Sequence, residues 1–138
     1  MADNSVITVS IVTPDGKVYE HTASMIVVST QSGQLGIMAN HVPIIATLDV
    51  DETRVKYDDK EDDIAVNGGF IEFSNNVATI VADSAETQND IDIARAEKAK
   101  KNAQQRIAEA RLRQDKAALD RAQVALRRAI NRINVAGK

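Results

Sequence analysis

The chain has 138 residues, 43% of them hydrophobic but only 3% aromatic, with no cysteine, no tryptophan and a net charge of −3. That length allows one core of ordinary size, or a small domain with an appendage, and the core has to be built from Val, Ile, Leu and Ala. The absence of cysteine excludes a disulfide framework and a thiolate metal site and fits a reducing compartment. The first residues, MADNSV, lack the basic region and apolar run of a signal peptide. No apolar stretch approaches the ~20 residues needed to span a bilayer, so membrane association is expected only through a partner.

Val6 to Val12, VITVSIV, alternates with period two and is rich in β-branched residues, which predicts a strand. Thr13-Pro14-Asp15-Gly16 carries turn chemistry, proline pre-setting φ and glycine free to take φ > 0. Val18 to His21 reads as the return strand of a hairpin, and Ala23 to Thr30 as a third strand closed by Gln31-Ser32-Gly33. Gly33 to Pro43, GQLGIMANHVP, reads as a loop whose Gly33 and Gly36 permit a tight turn or a close backbone approach. It is not a phosphate-binding loop, because no Lys-Ser/Thr follows the glycines. His41 has no nucleophile pattern beside it and reads as a structural histidine, hydrogen-bonded in a turn before Pro43. Ile44–Leu48, Thr53–Tyr57, Ile64–Val66, Phe70–Phe73 and Val77–Ala82 continue the strand pattern, broken at Asp58 to Asp63, Gly68-Gly69 and Asn75-Asn76. The acidic run at 58–63, DDKEDD, reads as a solvated hairpin tip rather than a cation site. Short strands without intervening helices predict an antiparallel sandwich or flattened barrel, and this half carries no catalytic constellation.

At AETQNDIDIARA (85–96) the chain changes character. Residues 1–90 hold four Lys/Arg against fifteen Asp/Glu, a net −11, whereas residues 91–138 hold thirteen against five, a net +8. An acidic strand half joined to a basic helical half implies separate partners for the two. Asn89, Asp90 and Asp92 supply N-cap and first-turn carboxylates for a helix from about Ile91. Ala96, Ala99, Ala103, Ile107 and Ala110 form one stripe at steps of three and four; Ala118, Ala122, Ala125, Ala129 and Ile133 form another. Alanine stripes let helix axes approach but bury little area, so their docking is reversible. Asp115 is placed to cap a second helix, giving a hairpin. Straightened, the segment from Ile91 to Asn134 would be one rod of about 66 Å at ~1.5 Å per residue, and the sequence is compatible with both.

Arg128 and Arg132 stand one helical turn apart with Arg121 near the same line, and Asp92 and Arg95 are i, i+3 neighbours. The plain account is a solvated basic face with a local ion pair; the functional one is a clamp for phosphate or carboxylate, since arginine offers forked donors. Nucleic-acid binding is disfavoured by the lack of aromatics in this half and by the acidic domain beside it.

Three segments in order, GQLGIMANHVP at 33–43, NGGFIEFSNNVATIVADSAE at 67–86, and IDIARA at 91–96 with ALRRAINRI at 125–133, resemble the epsilon subunits of bacterial F-type ATP synthases. The resemblance runs from about Val6 to Ala136. It implies an α+β chain: an N-terminal flattened antiparallel β-sandwich of about ten strands, residues 1–86, followed by a C-terminal α-helical hairpin, residues 87–138. It further implies a non-catalytic subunit of the central stalk. The sandwich would bind the gamma subunit and rest on the c-subunit ring, coupling proton flow to rotation. The helices would form a compact hairpin or extend to the alpha and beta subunits, where they restrain ATP hydrolysis. The location implied is the cytoplasmic face of the bacterial cell membrane, peripheral and attached through the complex. No cofactor is required and no nucleic acid is bound.

Some members bind ATP as a regulatory ligand in the compact state through Ile/Leu-Asp-x-x-Arg-Ala. The matching residues here are Ile91, Asp92, Arg95 and Ala96, together with Glu86 upstream and Arg128 and Arg132 on the second helix. Asn102 stands where the motif carries a basic residue, and about three extra residues precede Arg121. A free-standing ATP-sensing module without a rotary partner is the alternative role.

Overall fold

The computed structural model describes residues 6–138, so the expected start of the first domain at residue 1 lies outside the described residues. Alternation is realised as expected in strand β1 (Ile7–Thr13), where Ile7, Val9 and Ile11 are buried and Thr8 is exposed. A turn at Pro14-Asp15 leads to β2 (Gly16–Ala23), paired antiparallel with β1. β3 (Met25–Thr30) turns tightly through Gln31-Ser32 into β4 (Gly33–Met38), pairing Thr30 with Gly33 and Met25 with Met38. The segment expected as a loop is therefore a strand over its first six residues. Leu35 and Ile37 face the core, and Gly36 leaves room for the Met25 methyl, which would stand 2.6 Å from an added Cβ. The remainder is a loop: the His41 N–H donates to the Met38 carbonyl at 3.2 Å, and the imidazole lies edge-on to Phe73.

β5 (Ile44–Tyr57) and β6 (Lys60–Ser74) are a single long hairpin of 14 and 15 residues, where four shorter strands were expected. The turn between them is only Asp58-Asp59; the rest of the acidic run is sheet, with Asp62 and Asp63 drawn off the surface. Asp62 accepts from the Tyr19 hydroxyl at 2.8 Å and the Tyr57 hydroxyl at 3.0 Å. Burial and that carboxylate push the Tyr19 phenol well above its ordinary value. β7 (Val77–Ala82) pairs with the second half of β6, and the short β8 (Ala85–Thr87) with the first half.

The strand path is β2-β1-β7-β6-β5-β3-β4, with β8 joining β6 off the path. Eight strands result, and the two long ones, each serving both layers, supply the difference from ten. The pairing departs from the antiparallel expectation at one place, because β1 and β7 run parallel from Thr8↔Val77 to Val12↔Val81. A parallel pair needs a long crossover, and here the crossover is the whole sandwich between the two strands. The core is Ile and Val from both layers, with Phe73 its largest member.

Asp92 and Asp115 cap the two helices, α1 (Ile93–Leu112) and α2 (Lys116–Ala136). The chain takes the hairpin form; Gln114, at φ +55°, makes the corner. Ala96, Ala103 and Ala110 on α1 and Ala122 and Ala129 on α2 are each 3% exposed or less. Seven-residue spacing keeps these small side chains on one seam, as close helix packing requires. α2 lies between α1 and the sandwich, where it meets β5 and β6.

The bend in β6 falls at Gly68 and Gly69, at φ +89° and +124°. An added Cβ at Gly69 would stand 2.1 Å from the Val81 carbonyl oxygen. Gly69→Ala therefore combines a backbone conformation closed to L-residues with a direct overlap, and is expected to lower stability by about 3 kcal/mol or more. Urea unfolding of the full chain measures it.

Candidate functional site

The junction of sandwich and helices is assembled from short pieces held by local hydrogen bonds. β8 pairs with β6 through Ile64↔Thr87, Ala65↔Glu86 and Val66↔Ala85, which sets Glu86 at the sheet edge. One 3₁₀ turn, Gln88–Asp90, follows, with the Thr87 hydroxyl donating to Asp90 Oδ2 at 2.7 Å. Asp92 then accepts from the Arg95 backbone N–H at 3.1 Å, satisfying one of the free donors of the first turn of α1. The helix thus starts at Ile93, two residues later than expected, because Asn89 and Asp90 belong to the 3₁₀ turn.

These pieces and the β1–β2 turn enclose a cavity of about 490 Å³. Five of the seven candidate residues line it: Glu86, Asp92, Arg95, Ala96 and Arg132. The strands bring Glu86, the cap brings Asp92, the first turn of α1 brings Arg95 and Ala96, and Arg132 arrives from α2. Its Nε donates to Glu86 Oε1, so the two halves of the chain are ion-paired across the cavity. Ile91 and Arg128 are not among the lining residues. Ile91 is buried with Ala65 and Val135, where it closes the floor of the junction. Arg128 sits one turn, ~6 Å, away from Arg132 along the helix, and its Nε is buried without a hydrogen-bond partner. Of the two arginines of α2, Arg132 is the one at the cavity wall in the docked hairpin. Asp92 and Arg95 also differ from expectation: their contact is the helix cap, and no side-chain ion pair joins them among the described residues. Asn102 is exposed on α1 and lies outside the cavity.

Sequence reasoning missed Asp15 and Asp83, which line the cavity from the β1–β2 turn and from the end of β7. No local spacing links either to the helical motif; only the fold does. The wall accordingly carries five carboxylates, Asp15, Asp83, Glu86, Asp90 and Asp92, against the guanidiniums of Arg95 and Arg132. Such an arrangement offers forked donors to anionic oxygens and carboxylates to hydroxyl or amino groups. Its acidic excess holds down the affinity for a polyanion.

A second buried polar contact docks α2. Asn131 Nδ2 donates to Asn67 Oδ1 and to the Val66 carbonyl, both at 3.2 Å, and Asn67 Nδ2 donates to the Ser84 hydroxyl at 3.0 Å. An amide buried at a helix–sheet boundary is tolerated only when its partners are in register, so this chain of bonds fixes where α2 sits.

Family models cover nearly the whole chain. Residues 6–88 match the beta-sandwich domain of the ATP synthase delta/epsilon chain, and residues 89–137 match its long alpha-helix domain. The ATP synthase epsilon chain of Pediococcus pentosaceus is 63% identical over 136 residues, covering 98% of each chain. That of Levilactobacillus brevis is 63% identical over 137 residues, covering 99% of each. The chain belongs to the ATP synthase epsilon chain family. It is therefore the epsilon-type subunit of an F-type ATP synthase, and not one of the chains that carry catalysis. The fold agrees with a chain in the solved Euglena gracilis mitochondrial ATP synthase (OSCP/F1/c-ring in rotational state 1). There the TM-score is 0.79 at 21% identity over 97% of this chain and 82% of that one. Among the described residues, no helix of this family member is long and apolar enough to cross a membrane.

The double role of Asp92, cap and cavity wall, can be separated by substitution. Asp92→Ala is expected to cost about 1 kcal/mol through the lost cap, whereas Asp92→Asn keeps an equally good cap while removing the charge. Thermal unfolding followed by helical circular dichroism compares the two.

Proposed function

We propose that the chain is a rotor subunit in the central stalk of its synthase, coupling rotation through the sandwich and restraining ATP hydrolysis through mobile, ATP-responsive helices. The observation that carries the regulatory part is the junction cavity, because in the docked hairpin Arg132 of α2 joins Glu86, Asp92, Arg95 and Ala96 there. A ligand held by Arg95 and Arg132 would favour the docked state by mass action. Its phosphates would compete with Glu86 for the Arg132 guanidinium. ATP here is a regulatory ligand rather than a substrate.

The outer face of the sandwich supports the coupling part. Ile45, Phe70 and Val81 are exposed on β5, β6 and β7, and Met38 and Val42 are exposed in and after β4. Phe70 and Val81 are direct register partners, and Val81 is paired in turn with Val12 of β1. An apolar row across neighbouring strands at a monomer surface fits a protein partner; in this reading the partner is the gamma subunit, with the c-subunit ring below. The solved Euglena gracilis relative was captured with its c-ring, and a more distant Tetrahymena thermophila relative with its central stalk and c-ring. The +8 charge of the helical half fits an acidic surface on the alpha and beta subunits, with an attraction that salt weakens. In this arrangement the chain meets the cytoplasmic face of the cell membrane only through the complex.

Calorimetric titration of the full chain with ATP and then ADP tests the ligand. The expected result is weak binding selective for ATP, lost in Arg132→Ala; no binding up to millimolar ATP would remove nucleotide from the reading. Truncation after Asp90 tests the division of labour. The shortened chain is expected to assemble with gamma while ATP hydrolysis by the complex rises, and equal inhibition by the truncated chain would reject it.

A further inference from the structure

The first half of β6 is buried on both faces. Ile64 and Val66 point into the sandwich core, while Asp63, Ala65 and Asn67 point the opposite way, under the end of α2. Three rungs join strand and helix. Asn131 bonds Asn67 at 3.2 Å, Val135 packs with Ala65, and Lys138 Nζ lies 3.9 Å from Asp63 Oδ1 and 2.5 Å from Glu52 Oε2. The periodicities match: Asn131 and Val135, one turn apart on α2, are followed by Lys138 just past its end, and Asn67, Ala65 and Asp63 recur at steps of two on one strand face. The end of α2 thus covers Asp63 from one side, with Thr87, Gln88 and Asn89 beside it on the other.

Asp63 is the rung that does not close. It is 8% exposed, and its Oδ1 has no hydrogen-bond partner. The charged and titratable groups around it are Glu52 and its register partner Arg54 on β5, Glu61 and Asp62 on β6, Tyr19 on β2, and Lys138 just after α2. Asp62 is engaged by the two tyrosines, and Lys138 is held closely by Glu52. We propose that this cluster makes the docking of α2 pH-dependent, the helix holding more tightly as the medium is acidified. The inference rests on the reading that the helices leave the sandwich, and adds a second control on that same movement.

The sign follows from which state binds the proton better. Burial first, then Glu61, raise the docked Asp63 carboxyl from 3.8 to about 6, and Lys138 only partly opposes them. When α2 leaves, the share of that burial it supplies is relieved and the carboxyl shifts back toward its ordinary range, while Glu61 stays beside it on β6. The docked state is thus the better proton acceptor. Asp63 supports docking fully below its ordinary pKa, and that support is lost as pH rises through about 6. Protonation leaves the Lys138–Glu52 pair intact.

Hydrogen exchange of the full chain, corrected for intrinsic exchange rates, reads the opening of α2 even when it is rare. Protection of the last two turns of α2 is expected to be about tenfold greater at about pH 5 than at about pH 7.5. Asp63→Asn should abolish that difference and hold the acid level of protection throughout. Lys138→Gln, outside the sandwich, should loosen docking and move the pH window upward. Unchanged pH dependence in Asp63→Asn, or protection that falls on acidification, overturns the proposal. Independent opening of α2 with no pH dependence overturns it too but leaves the mobile-helix reading standing. Opening of α2 only together with β1 and β7 overturns both.

Discussion

The bend at Gly68-Gly69 is the constraint from which the rest of the architecture follows. Its conformations, φ +89° and +124°, are ones that L side chains rarely adopt, and the backbone passes so close to β7 that no Cβ fits at Gly69. Because β6 turns there, its second half joins β7 in one layer while its first half joins β8 in the other. A strand shared in this way needs two different outer faces. Beyond the bend that face exposes Phe70; before it, Asp63, Ala65 and Asn67 receive α2. One backbone feature thus separates the surface that would dock a neighbour from the surface that docks the chain's own helix.

The helical half is held by contacts of unequal kind. Alanine seams fit closely but bury little apolar area, at roughly 25 cal/mol per Å², so they align the helices more than they bind them. The register comes from the polar contacts: Asn131 against Asn67, Arg132 against Glu86, and Lys138 against Glu52. Each is made in one position of α2 and none is apolar, so water could solvate these groups if the helix undocked. An interface of this composition is specific without being irreversible, as the proposed movement of the helices would require.

Much of this was legible in the residues. Period-two alternation located β1 and β7, Pro14 and Gly16 located the first turn, and Asp92 and Asp115 marked both helix starts within two residues. The strand Gly33–Met38 was not legible, because its two glycines signal a turn as strongly as they permit a strand. Nor was the burial of Asp62 and Asp63: in a run of DDKEDD every residue looks solvated, and only pairing with β5 decides which carboxylates point inward. The motif residues of the junction were recognisable as a set, and the fold brings five of them to one cavity while Arg128 lies a turn away from Arg132. Conversely, Asp15 reaches the cavity through tertiary structure alone.

The parallel pairing of β1 with β7 has a consequence in time. Thr8 and Val77 are neighbours in the sheet but lie at opposite ends of the sandwich sequence, so this contact closes only after nearly the whole domain has been made. Such long-range pairings are slow to form, and the side of β1 away from β2 is an open sheet edge until then. The two helices are local structures that form quickly, and they emerge last from the ribosome. A nascent chain therefore completes its helices beside a sandwich that has only just become able to close. The surface of β6 that α2 covers is set by its neighbours β5 and β8 rather than by the β1–β7 pair. Docking of the helices and closure of the sandwich therefore draw on opposite halves of β6.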